Sequence, residues 1–100
     1  MNLNELQKES EEIINKIDEK LGTKHHDENT LIHLSEEFGE IARQINNKNI
    51  RKFPVDQENL KEEIADVLLL LTKIANNNQI NLEEAVKNKI EKLRQRHNLQ

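Results

Sequence analysis

The stretch LKEEIADVLLLLTKIA, residues 60–75, decides the fold. Leu60, Ile64, Val67, Leu68, Leu71, Ile74 and Ala75 recur at three- and four-residue spacing, which gathers side chains on one face of an α-helix. The spacing predicts a helix over about 57–76 with this stripe turned inward. Val67 through Leu71 is apolar without a break, so that turn is hydrophobic all round and Leu69 lies off the stripe. A helix of this kind needs a second surface to face, and a subunit interface would supply one. Glu62-Glu63-Ile64-Ala65-Asp66 lies in the first half of the helix, with Glu63 and Asp66 on one flank of the stripe.

The preceding segment repeats the arrangement. A helix is expected over about 30–47, with Leu31, Leu34, Phe38, Ile41 and Ile45 as its core stripe. At about 100° per residue, Glu37 and Glu40 lie on one flank together with His33 and Gln44, and Glu36 points nearly away from the core. Residues 46–56, which include Lys48, Arg51, Lys52, Phe53 and Pro54, read as the turn between two antiparallel helices. A local twofold preserves the sense of rotation, so both acidic flanks emerge on the same side. Counted outward from the turn, Glu40 is level with Glu63 and Glu37 with Asp66, and the four carboxylates are expected to converge.

Farther out, Leu3, Leu6, Ile13, Ile14, Ile17 and Leu21 predict a first helix over about 3–21, stopped by Gly22. Gly22 to Asn29 reads as a polar connection; its His25, His26 and Asp27 could ligate a metal, but solvated loop residues are the commoner case. At the other end, Asn76-Asn77-Asn78 closes the third helix, and Asn81 with Glu84 forms a capping box for a fourth. Leu82, Val86 and Leu93 line that last helix, and Lys89 and Arg96 share their face. Basic groups on an inward face call for an acidic or phosphate partner, or else their stems snorkel to water.

Composition agrees with an all-α chain: two Gly and one Pro in 100 residues, with abundant Leu, Ile, Glu and Lys. That length supports one domain, residues 1–100. Two Phe and no Trp or Tyr leave an aliphatic core that would gain from oligomerisation. A net charge of −4 argues against a partner with a nucleic-acid backbone. Lack of cysteine excludes disulfides, thiolate zinc and a cysteine nucleophile. The polar first twelve residues do not read as a signal peptide, and no apolar run is long enough to span a membrane. The expectation is a soluble, cytoplasmic protein.

Two carboxylates about 4 Å apart repel by roughly 4 kcal/mol at an effective dielectric of 20, so four on one face must splay into solvent or be offset by a cation. Soluble helices are rich in Glu, and a single E-x-x-E carries no information. Two such motifs on matching flanks of facing helices carry more. Hard oxygen ligands suit Mg²⁺ or Mn²⁺. Carboxylate-bridged di-iron is disfavoured because neither motif has a His three residues on, and no Gly-rich phosphate loop is present. Acid-held Mg²⁺ with Lys and Arg nearby suits hydrolysis of a phosphoanhydride. A competing reading is a non-catalytic helical interaction module whose acidic groove binds a basic partner.

The pattern E-E-x-x-E at 36–40, E-x-x-D at 63–66 and then INLEEAVKNKIEKLRQR at 80–96 resembles the MazG-like all-α nucleoside triphosphate pyrophosphohydrolases, relatives of phosphoribosyl-ATP pyrophosphatase and dimeric dUTPase. The resemblance spans roughly residues 30–97. It implies a four-helix MazG-like bundle completed by oligomerisation to a homodimer or homotetramer, with interface helices lining the nucleotide pocket. It further implies Mg²⁺-dependent cleavage of a nucleoside triphosphate, or its deoxy form, to the monophosphate and pyrophosphate, a nucleotide-pool housekeeping activity. Carried over residue by residue, the metal ligands fall on Glu37, Glu40, Glu63 and Asp66. Glu36 matches the first acid of the motif, and Lys89 and Arg96 the basic positions. For stacking a base the chain offers Phe38 and Phe53, of which Phe38 reads as core.

Overall fold

The computed structural model describes residues 1–50, 54 and 56–100. Among these residues are four α-helices and no strand: α1 (Leu3–Leu21), α2 (Asp27–Asn49), α3 (Gln57–Asn77) and α4 (Leu82–Arg96). The expected all-α architecture is therefore the observed one. Arg51, Lys52 and Phe53, assigned above to the turn and to base stacking, lie outside the described residues.

Each helix starts on a side-chain cap. Asn2, His26, Asp56 and Asn81 accept from the amide three residues on, satisfying a donor that the helix itself leaves free. Gly22 ends α1 at φ 68°, a left-handed conformation that glycine adopts without strain. The histidine cap explains one boundary difference. His26 Nδ1 accepts from the Asn29 amide at 3.4 Å, so α2 begins at Asp27, three residues before the expected Thr30.

Helix α2 packs along α3, α1 lies against another flank of α3, and α4 rests mainly on α1. The buried core of the α2–α3 pair is small: Leu34, Val67 and Leu70, with Ile41 and Ile74 against them. Its position corrects the expected stripes. Thr30, Leu34, Glu37, Ile41 and Gln44 form the covered row of α2. Leu31 and Phe38 are 52% exposed and Ile64 is 53% exposed, and Ile45, Leu68 and Leu71 are also exposed. Both helices are turned toward their acidic flanks, which carries Glu37 and Glu63 into the seam and leaves a second apolar face uncovered. Phe38 is thus not a core residue. Leu69 also departs from expectation: it is half-buried in the crease between α1 and α3 beside Leu6, Ser10 and Ile13, inside the chain. The exposed members of the apolar run are its neighbours Leu68 and Leu71.

Beside that apolar crease, the α1–α3 seam carries a run of polar contacts. Ser10 and Thr72 are fully buried with their hydroxyls 2.6 Å apart. Thr72 spends its proton on the Leu69 carbonyl, so Ser10 is the donor between the two hydroxyls. Buried Lys73 donates to Glu11 at 3.0 Å. Asn76 Nδ2 donates to the Gln7 carbonyl and to Glu11, while the Gln7 side chain holds the Ile80 carbonyl and the Leu82 amide. These bonds fix the entry to α4, yet no residue of α4 is buried. Lys89 and Arg96, expected on an inward face, are exposed with the rest of its outer turns. The radius of gyration is 16.4 Å, against roughly 13 Å for a compact domain of this length.

Candidate metal centre on the α2–α3 seam

Rotation of α2 and α3 toward their acidic flanks brings three carboxylates into mutual electrostatic reach. Glu63 is only 7% exposed, Glu37 is mostly buried and Glu40 is half-buried. Burial pushes the Glu63 carboxyl above its ordinary range, and the charges of Glu40 and Glu37 push it further; Arg43 and a hydrogen bond from Asn59 oppose them. Asn59 Nδ2 donates to Glu63 Oε1 at 3.2 Å, whereas the buried Oε2 has no hydrogen-bond partner. Buried carboxylate oxygens rarely go unmatched, and an ordered water or a cation is the usual partner of one that no protein group reaches.

Other site residues stand as follows. Glu37 Oε1 is 3.4 Å from His33 Nε2, and Glu40 Oε1 is 2.9 Å from Arg43 Nη2. Glu36 and Asp66 are exposed. Among the described residues no three His, Asp or Glu side chains are gathered at metal-ligand geometry. The physical reason is visible in the partners: each seam acid is drawn to a neighbour on its own helix, His33, Arg43 or Asn59. Lys89 and Arg96 are carried by a helix that packs chiefly on α1 rather than along the seam.

Sequence reasoning placed His33 on the acidic flank without assigning it a role, and passed over Arg43 and Asn59. Their signal was local. His33 and Glu37, Glu40 and Arg43, and Asn59 and Glu63 are three or four residues apart on their helices, the spacing at which helical neighbours meet.

His25, His26 and Asp27 serve the α1–α2 connection. Asp18 accepts from Thr23 Oγ1 at 2.6 Å, from the His25 amide at 3.2 Å and from His25 Nδ1 at 2.8 Å. Those bonds, that from Thr23 foremost, hold its carboxyl below the ordinary value. Asp27 accepts from Asn77 at 3.0 Å and Asn78 at 2.9 Å, which lowers its carboxyl likewise and ties α2 to the end of α3.

Residues 25–99 match the MazG nucleotide pyrophosphohydrolase domain, and the chain belongs to that family. A curated relative, an uncharacterized protein named YpjD from Bacillus subtilis (strain 168), is 44% identical over 55 residues, covering 52% of this chain and 50% of its own length. The matched part thus spans about half of that relative. No solved structure matches the chain. Among the described residues no helix is long and apolar enough to cross a membrane.

Proposed function

We propose that the chain is a Mg²⁺-dependent nucleoside triphosphate pyrophosphohydrolase that cleaves a ribo- or deoxyribonucleoside triphosphate to the monophosphate and pyrophosphate in nucleotide-pool housekeeping, with Mn²⁺ able to replace Mg²⁺. The observation that carries the reading is the buried Glu63 oxygen without a donor, between the charges of Glu37 and Glu40, in a chain of the MazG family. Glu37, Glu40, Glu63 and Asp66 would hold the cation. Bound there, it supplies Lewis-acid polarisation of phosphoryl oxygens and offsets charge on the pyrophosphate leaving group.

The chain's own groups divide the remaining work. Half-exposed Glu40 and exposed Asp66 can turn toward an entering ion, while Glu63 fixes the floor of the seam. Glu36 at the outer edge is suited to orient water. Lys89 and Arg96, exposed on α4, would bind phosphate oxygens, as the family resemblance implies. The functional unit is a homodimer or homotetramer in the cytoplasm; its support is the uncovered apolar face of Leu31, Phe38, Ile64, Leu68 and Leu71 and an α4 with nothing buried. Sedimentation showing a stable monomer would end that part of the reading. Phe38, exposed on the same face, is available to stack on a base.

The test is a panel of ribo- and deoxyribonucleoside triphosphates incubated with the protein and Mg²⁺, with pyrophosphate release as the readout. Turnover of one or more is expected. Silence across the panel, with circular dichroism showing folded protein, would favour the acidic-groove interaction module instead.

A further inference from the structure

Arg43 stands apart from Lys48, the other Lys or Arg of α2, because from the exposed rim it reaches the acids of the seam. Its Nη2 lies 2.9 Å from Glu40 Oε1, one turn along the helix, and its side chain is 65% exposed. Its charge also reaches Glu63, where it opposes the repulsion from Glu37 and Glu40. The contact with Glu63 is electrostatic only: Oε1 is taken by Asn59, and Oε2 has no partner. A guanidinium therefore sits on the outer carboxylate of the seam, while one oxygen of the inner carboxylate stays unmatched.

We infer that Arg43 is the resident counter-ion of the metal-free seam, pairing with Glu40 until a divalent cation takes that carboxylate and the guanidinium swings into solvent. The inference rests on the reading of the seam as a metal centre. An exposed pair of this kind is weak and readily exchanged, and the long Arg stem lets the charged head move to water without unpacking anything. A small divalent ion carries twice the charge and can reach Glu63 Oε2. Both cations need Glu40, so Arg43 must compete with the metal while stabilising the chain that lacks it.

Mn²⁺ titrated into the metal-free full-length chain without nucleotide, at constant ionic strength, tests this, with free Mn²⁺ followed by electron paramagnetic resonance. Arg43→Gln is expected to bind Mn²⁺ about two- to fivefold more tightly than the unmutated chain, the range that a screened surface pair allows, and Arg43→Lys to stay close to it. Arg43→Gln should also melt lower without metal, and the two melting points should converge at saturating Mn²⁺. A merely structural arginine would lower both melting points together and would not tighten binding. Equal or weaker Mn²⁺ binding by Arg43→Gln, with binding intact in the unmutated chain, overturns the counter-ion role alone. No Mn²⁺ binding by the unmutated chain overturns it together with the metal centre.

Discussion

At the α1–α2 connection, Asp18 and Asp27 are ringed by donors, whereas at the α2–α3 seam Glu63 has one donor, Asn59, against the charges of Glu37 and Glu40. Both regions are acidic and both join two helices. The first is a finished structural joint whose carboxylates are held below their ordinary range. The second is incomplete, with an inner carboxyl held above it and an oxygen left over. A helical protein can thus use the same residue type to close a loop or to keep a place for a ligand, and the donors around each carboxylate tell the two uses apart.

The largest effect that separates the regions is on turnover. Glu40→Gln or Asp66→Asn should cut pyrophosphate release by at least about a hundredfold with the helical signal unchanged, Glu36→Gln should cost less, and Asp18→Asn should leave turnover of the folded protein near normal. An Asp18→Asn protein as inactive as Glu40→Gln would erase the distinction.

Metal-dependent melting comes next. An ion at a hundredfold excess over Kd, bound by the folded chain alone, adds about 2.7 kcal/mol, very roughly 10–20 °C in melting temperature for this length. Millimolar Mg²⁺ or Mn²⁺ at constant ionic strength should give such a shift in the unmutated chain and in Asp18→Asn, and little in Glu40→Gln. Equal shifts in all three proteins would point to general screening.

Without metal, the two regions should respond oppositely to neutralisation. Glu63→Gln removes a repelled charge and offers an amide to Glu37 and Glu40, so the melting point should rise by a few degrees; Asp18→Asn loses acceptors and should lower it. Calorimetry on metal-free protein reads both, and a fall for Glu63→Gln would mean that the seam is already satisfied.

The smallest effect is the pH dependence of those differences. Glu63 has a folded value above its ordinary 4.5, so its ionisation destabilises the chain increasingly as pH rises from there, and fully once the raised value is passed. The advantage of Glu63→Gln should be complete above the raised value and shrink as pH falls through it toward 4.5. Asp18 has a folded value below its ordinary 3.8; its stabilisation is complete above 3.8 and is lost as pH falls through the lowered value. Denaturation series across this range should show the two differences fading in that order on acidification.

Much of this was legible in the sequence. Periodicity and caps gave α1 and α4 closely, and Asn81 caps the Glu84 amide as expected. The acidic motifs pointed to the seam because Glu37, Glu40 and Glu63 recur at helical spacing on matching flanks. The rotation of α2 and α3 was not legible: their apolar residues cover more than one face, and spacing alone cannot say which face meets the neighbour. Phe38 and Ile64 were assigned inward for that reason, and Leu69 outward. His26 as a cap was missed because Ser, Thr, Asp and Asn are the usual residues there.

The polar run along the α1–α3 seam has a consequence for motion. A greasy crease would let one helix slide along another, since apolar surfaces are non-directional and fit almost as well one turn farther on. Here a slip of one turn, about 5.4 Å, would part Ser10 from Thr72, Lys73 from Glu11 and Asn76 from Gln7 at once, leaving buried donors and acceptors unmatched. Helix α1 is keyed rather than glued, so the end of α3 that meets Asp27 and the turn that launches α4 keep a fixed phase.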